Sequence, residues 1–105
     1  MNIQEILQQA VAQDASDIFV VAGLPVTLKC HGHQSRMEGR MLPEDIEALV
    51  NEIYAVSGRA KTNIEQGSDD DFSFSIRDLG RFRVNVFRQR GSLAAVIRVI
   101  KFGLP

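Results

Sequence analysis

The chain has 105 residues, a size that fits one domain with one hydrophobic core. Its 45% hydrophobic and 24% charged residues, with a net charge of −1, exclude an intrinsically disordered chain, because disorder combines low hydrophobicity with high net charge. Residues 1–76 carry 5 Lys/Arg and 12 Asp/Glu, a balance of −7, whereas residues 77–105 carry 7 Lys/Arg and one Asp, a balance of +6. This asymmetry indicates either an anionic ligand at the basic end or acidic helices that face a basic sheet.

The first part of the chain predicts a helix and then a hairpin. Residues 2–13 form an amphipathic helix in which one apolar stripe contains Ile3, Ile6, Leu7, Ala10 and Val11. Residues 18–21 and 26–30 are β-branched or alternating, and the turn Gly23-Leu24-Pro25 between them predicts a hairpin. A short third run spans residues 35–41.

The second part predicts two helices and three strands. A helix that begins at Pro43 has its stripe at Ile46, Leu49, Val50, Ile53 and Tyr54. Leu42 offers no side-chain acceptor at its start. We expect Ser57 to cap a third helix that runs to about Gln66 and ends at Gly67, before strands at 70–76, 80–88 and 92–100. The order predicts an α+β fold, a mainly antiparallel sheet with about three helices on one face.

The most informative segment is 80–91, with the sequence Gly-Arg-Phe-Arg-Val-Asn-Val-Phe-Arg-Gln-Arg-Gly. Over residues 81–86, polar odd positions alternate with apolar even ones, which predicts a strand with one buried face. If Arg90-Gly91 is a two-residue hairpin loop, the numbers of paired residues sum to 181. This register satisfies the apolar positions of both strands and sets Arg83 directly opposite Arg98. The second strand, 93–100, is apolar on both faces, as in a central strand that is covered on both sides.

Two arginines directly opposite each other repel, so an anion should neutralise them. One source is the domain itself, through Asp69, Asp70, Asp71 or helix-end carbonyls, in which case the pair is structural. The other source is an external phosphate, which paired guanidinium groups bind well. No nucleophile or general base accompanies the arginines, so the pattern predicts binding of charge rather than catalysis by this domain alone.

Several segments together carry a family resemblance. They are Ala15-Ser16-Asp17-Ile18, Gly23-Leu24-Pro25, Asp71–Ser75, Arg81–Gly91 and Ala94–Ile100. In these segments the chain resembles the N-terminal domain of the PilT family, the twitching-motility retraction ATPases of type IV pili within the secretion ATPase superfamily. The similarity spans residues 2–100 and is most specific at 81–91.

The resemblance implies a PAS-like domain over residues 1–100, with residues 101–105 as the start of a linker to an absent RecA-like ATPase core. It also implies a homohexamer that uses ATP and Mg²⁺ to retract pili, and that meets a platform protein at the cytoplasmic face of the inner membrane. In the family, arginines of this domain reach the phosphates of ATP bound between the two domains. Those positions correspond to Arg83 and Arg98, and Arg81 is a weaker candidate.

The chain also departs from the complete family pattern. It has no phosphate-binding loop, acidic motor motif or histidine box, so we expect no ATP hydrolysis by these residues alone and no cofactor bound to them alone. Many relatives carry a histidine two residues after the Asp of Ala-Ser-Asp, where this chain has Phe19. A role of that histidine therefore does not transfer. Arg88 and Arg90, near the turn, are expected in solvent or at a subunit interface.

Other functions and sites are the alternatives. Cys30, His31 and His33 are too closely spaced for a structural zinc set, and strand alternation puts both histidines on the face opposite Cys30. Asp69–Asp71 suits a strand entrance or counter-charges better than a Mg²⁺ site, so we predict no metal. The phenylalanines at 72, 74, 82 and 87 are expected in the core, and we predict no nucleic-acid binding. The alternative functions are a stand-alone PAS-like ligand-binding module and an interaction domain for the pilus or secretion platform.

Overall fold

One six-stranded antiparallel sheet organises the computed structural model, which describes residues 1–100. The helices are α1 (Ile3–Ala12), α2 (Pro43–Ser57) and α3 (Thr62–Glu65). The strands are β1 (Asp17–Val20), β2 (Thr27–Cys30), β3 (His33–Arg36), β4 (Asp70–Ile76), β5 (Gly80–Gln89) and β6 (Ser92–Ile100), in the spatial order β3-β2-β1-β6-β5-β4. The predicted α+β class with three helices is confirmed. The linker expected at 101–105 lies outside the described residues.

Helix α1 is closed at its start by a reciprocal pair of hydrogen bonds. The Asn2 side chain accepts from the Glu5 N–H at 2.8 Å, and the Glu5 carboxylate accepts from the Asn2 N–H at 3.0 Å. Glu52 of α2 accepts from the Ile3 N–H at 2.6 Å, which ties the two helices together. Four of the five residues of the predicted stripe are buried, whereas Val11 is exposed.

Helix α2 has the buried stripe that its sequence predicts, but its end differs from the prediction. Gly58 stops the helix in the left-handed conformation, with φ of +71°, and Ser57 is the last helical residue. Ser57 therefore does not cap a third helix; its hydroxyl donates back to the Tyr54 carbonyl at 3.1 Å. Helix α3 starts five residues later, at Thr62. At the start of α2, the Asp45 carboxylate accepts from the Leu42 N–H at 2.9 Å.

The β2–β3 hairpin corrects two further predictions. His31 and Gly32 form its two-residue loop with φ of +51° and +82°, so the third strand starts at His33 and ends at Arg36 instead of spanning 35–41. Because His31 lies in the loop, strand alternation does not apply to it. Cys30 and His33 are direct cross-strand partners, and the expectation of opposite faces is wrong.

All three helices share one face of the sheet, and the core lies between them. Strand β5 contributes Phe82, Val84 and Val86 to this core, and β6 contributes Ala95 and Ile97. Strand β6 is central in the sheet, but within residues 1–100 no element covers the opposite face, which we call the open face. The expectation of a strand covered on both sides is therefore wrong for the described residues. Among them, no helix combines the length and the apolar character needed to cross a membrane.

A buried carboxylate, Asp70, joins β4 to the helical layer. Its side chain is 1% exposed and accepts two hydrogen bonds from Arg59, at 2.7 and 2.9 Å. The Tyr54 hydroxyl and the Asn63 amide donate to it as well, at 2.8 and 3.2 Å. The Arg59 guanidinium also lies over the Phe72 ring, 4.9 Å from its centroid. Hydrogen bonds from Arg59, Tyr54 and Asn63 hold the pKa of Asp70 at about 2, although burial acts in the opposite direction.

We predict that Asp70→Asn lowers the free energy of unfolding by about 2 kcal/mol at pH 7, because the pKa of Asp70 is about 2 in the folded chain against an ordinary 3.8. A depressed carboxyl pKa stabilises the fold above pH 4, and the effect disappears as the pH falls through the folded pKa. About half of the difference between wild type and variant should therefore be lost by pH 3. Urea unfolding at several pH values measures it. Asp69→Asn, at the exposed neighbour, is the control, and a difference that stays constant down to pH 3 would contradict the assignment.

Candidate functional site

A row of charged side chains crosses the open face of the sheet. Backbone pairing places four charged residues side by side, from β2 through β1 and β6 to β5: Lys29, Asp17, Arg98 and Arg83. Asp71 of β4 lies opposite Asn85, the residue two positions beyond Arg83 on the same face. These positions belong to four strands that are neighbours in the sheet, although β1 and β6 are far apart in the sequence, and to β4 beside them. The row therefore exists only in the folded sheet.

The predicted pairing of Arg83 with Arg98 is confirmed, together with the register in which paired numbers sum to 181. The hairpin loop is Arg90-Gly91, with φ of +54° and +82°. Positive φ at both loop positions matches the right-handed twist of the flanking strands, which explains why this loop fixes the register. Both guanidinium groups face solvent, with side chains 62% exposed at Arg83 and 74% exposed at Arg98.

Each arginine has a carboxylate beside it. Asp71 accepts two hydrogen bonds from Arg83, at 3.1 Å from Nε and 3.2 Å from Nη2, and these bonds raise the pKa of Arg83. Asp17 Oδ1 lies 3.7 Å from Arg98 Nε, an ion pair that is too long for a hydrogen bond. Ser16 orients the Asp17 carboxylate by donating to Oδ2 at 2.8 Å.

These contacts decide between the counter-ions that the sequence offered. Asp71 is a partner of the pair, as one alternative expected, whereas Asp70 is wrong as a partner because it is buried on the helix side with Arg59. Asp17 was missed. Its contact with Arg98 depends on β1 lying next to β6, and a pattern of local spacing does not reveal which strands become neighbours.

A shallow cavity of about 220 Å³ on the open face is bordered by four charged side chains: Asp17, Arg98, Arg83 and Asp71. Asn85 and Val96, which pair across β5 and β6, complete its lining. Two guanidinium groups at one opening can bind phosphate oxygens through charge-assisted, bidentate hydrogen bonds. Within residues 1–100, no group of three or more His, Cys, Asp and Glu side chains is placed to hold a metal ion.

The other arginines of the basic segment lie elsewhere. Arg81 is on the open face opposite Ile100 and exposed, but it does not line the cavity. Arg88 is on the helix side, where its guanidinium donates to the Ile64 carbonyl at 2.6 Å. That bond ties β5 to α3, while Arg88 itself remains exposed, as expected for an arginine in solvent.

The aromatic residues divide between the two faces of the sheet. Phe72, Phe74 and Phe82 are buried in the core as predicted. Phe87 is half-buried on the open face, opposite Ala94, and is not part of the core. Phe19 is also half-buried on the open face, beside Val96. An apolar area therefore adjoins the charged row.

Comparison with known proteins shows which proteins share this sequence and fold. No protein-family model matches the chain. The type IV pilus retraction ATPase PilT of Pseudomonas aeruginosa is 34% identical over 101 residues, which cover 95% of this chain and 29% of PilT. A crystal structure of the pilus retraction motor PilT with bound ADP matches with a TM-score of 0.84 and 38% identity, over 100% of this chain and 31% of that one. The chain is homologous to the N-terminal region of PilT.

A second pilus ATPase agrees with this assignment. PilU of Pseudomonas aeruginosa is 28% identical over 106 residues, which cover 100% of this chain and 27% of PilU. The chain thus spans less than a third of the length of each of these relatives. The resemblance stated from the sequence motifs is confirmed at the level of the PilT N-terminal region.

We predict that Arg83→Ala and Arg98→Ala each change the free energy of unfolding by less than about 1 kcal/mol, because exposed ion pairs contribute about 0–1 kcal/mol and each variant also removes a like-charge contact. Phe82→Ala, in the same strand, is the matched contrast. Its side chain is 0% exposed, so the truncation should cost about 3–5 kcal/mol. Urea unfolding followed by circular dichroism measures all three. A loss above about 3 kcal/mol in either arginine variant would assign that arginine a structural role.

Proposed function

We propose that this chain is the N-terminal domain of a type IV pilus retraction motor, and that Arg83 and Arg98 contact the phosphates of ATP bound between this domain and a RecA-like core. The observation that carries the proposal is the exposed arginine pair at the opening of the cavity, in a fold homologous to the N-terminal region of PilT. Residues 1–100 would be the domain and residues 101–105 the start of the linker. The relative crystallised with ADP supports a nucleotide as the ligand.

The chemistry of the donor set supports phosphate as the ligand group. Arginine stays protonated and presents several N–H donors in a planar fork that matches phosphate oxygens. During phosphoryl transfer, negative charge spreads over the phosphoryl oxygens, and arginines placed there stabilise it. Mg²⁺ and the phosphate-binding loop would come from the core, because residues 1–100 supply guanidinium groups and no carboxylate set suited to the metal.

The same arrangement would couple nucleotide state to movement. Arg83 and Arg98 lie on two paired strands near the middle of the sheet, so they move with the domain as a rigid unit. A rotation of this domain against the core would carry both guanidinium groups toward or away from the phosphates. In a homohexamer docked on a platform protein at the cytoplasmic face of the inner membrane, such rotations would drive pilus disassembly.

We predict that Arg83→Ala or Arg98→Ala in the complete motor lowers kcat for ATP hydrolysis by at least about ten-fold, because arginines that contact the transferred phosphoryl group in other ATPases are worth about 10³ or more. Arg36→Ala is the matched control, since Arg36 is an exposed arginine on the same face, on the edge strand β3 and outside the cavity lining. Steady-state turnover with ATP measures the effect. Wild-type kcat in both cavity variants would remove them from the mechanism.

The domain assignment has its own test in the cells that make the protein. The intact mass of the native product, measured by mass spectrometry after affinity capture, should lie well above 11.7 kDa. The additional sequence should contain a phosphate-binding loop, and residues 1–105 expressed alone should show no ATP turnover above a mock purification. A native product of 11.7 kDa would contradict the motor assignment and leave the arginine pair to another anionic ligand.

A further inference from the structure

The arginine pair is bordered by one carboxylate at each side. Along the open face the charges run negative at Asp17, positive at Arg98, positive at Arg83 and negative at Asp71. The four side chains carry no net charge as a group. An anion that approaches the cavity therefore meets arginines that already have partners, and it must compete with a resident carboxylate for each of them.

Both resident ion pairs are accessible to such competition. Arg83 and Arg98 are each more than half exposed, and ion pairs in that environment are weak because water solvates the separated charges well. A singly charged anion that replaces one carboxylate exchanges one ion pair for a similar one and gains little. An anion with several negative charges can engage both guanidinium groups together, so its second contact follows from the first without another association step.

We propose that Asp17 and Asp71 are exchangeable counter-ions that occupy Arg98 and Arg83 until a polyphosphate displaces them, and that they thereby make the arginine pair selective for multiply charged anions. This inference rests on the proposed function, because it describes how the same two arginines are held before they meet the nucleotide. Asp17 and Asp71 are positioning residues in this account, since they act through the arginines.

The two exchanges differ in their geometry. Asp71 holds Arg83 through two hydrogen bonds, at 3.1 and 3.2 Å, and its own side chain is 47% exposed. Asp17 lies 3.7 Å from Arg98, is only 18% exposed and is oriented by Ser16. Arg98 therefore leaves its carboxylate more easily than Arg83 does. Because the Asp71–Arg83 pair competes more strongly with an incoming anion, removal of the Asp71 carboxylate should raise anion affinity more than removal of the Asp17 carboxylate.

The test is an NMR titration of this chain with inorganic pyrophosphate, which follows the Nε–Hε signals of Arg83 and Arg98. We expect both signals to shift, and Asp71→Asn to tighten pyrophosphate binding about two- to five-fold, the range expected for the loss of an exposed ion pair. Asp17→Asn should tighten it by a smaller factor. The difference in pyrophosphate affinity between each variant and wild type should shrink as salt is added, because salt screens the competing charges.

Two control variants and one control anion complete the design. Glu47→Gln changes the net charge by the same amount, but Glu47 is on α2 at the helix side, so it should leave pyrophosphate affinity unchanged. Asp71→Glu keeps the carboxylate and should stay close to wild type, and acetate at equal ionic strength should shift neither arginine signal appreciably. Unchanged affinity in folded Asp17→Asn and Asp71→Asn, or an equal response to acetate, would overturn the inference.

The complete motor separates this inference from the function on which it rests. If Arg83→Ala lowers ATP turnover but Asp71→Asn leaves both the KM for ATP and the pyrophosphate affinity unchanged, the counter-ion exchange is wrong and the proposed function stands. If pyrophosphate binding tightens in Asp71→Asn but neither arginine variant changes ATP turnover, the exchange is correct and the proposed function is wrong.

Discussion

The antiparallel pairing of β5 with β6 is the constraint on which the rest of the structure depends. The loop Arg90-Gly91 fixes its register, and that register places one apolar face against the helices, made of Phe82, Val84, Val86, Ala95 and Ile97. The same register forces Arg83 and Arg98 together on the open face, although like charges repel. Core burial outweighs this repulsion, because each buried large side chain contributes about 1.5–3 kcal/mol and an exposed charge pair contributes less than about 1 kcal/mol. The backbone pairing of β5 with β6 therefore keeps the two arginines next to each other.

Features that depend on local spacing could be predicted from the sequence. The alternation over residues 81–86, with a two-residue loop at the end of the same strand, was sufficient to derive the arginine pair, because a strand has one period and this loop permits one register. The stripes of α1 and α2 followed from helical periodicity in the same way. The family motifs then identified the chain as similar to the N-terminal region of PilT, as the comparisons confirm.

Features that depend on the spatial order of the strands could not be predicted. Asp17 became a partner of Arg98 because β6 lies between β1 and β5, and nothing in the local sequence specifies that order. The partners of the adjacent aspartates also depend on the folded chain. Asp71 lies on the open face beside Arg83, whereas Asp70 lies in the core, where Arg59 neutralises it. The third helix was misplaced because Gly58 ends α2 in a left-handed conformation, and this outweighed the capping tendency of the serine before it.

A structure of the complete motor with a non-hydrolysable ATP analogue tests the central claim most directly. The distances to measure run from the guanidinium nitrogens of Arg83 and Arg98 to the phosphate oxygens. We predict that both arginines lie within hydrogen-bond distance, about 3 Å, of phosphate oxygens in at least one nucleotide-loaded subunit, with Asp17 and Asp71 released. Guanidinium groups that remain beside Asp17 and Asp71 in every loaded subunit would contradict it.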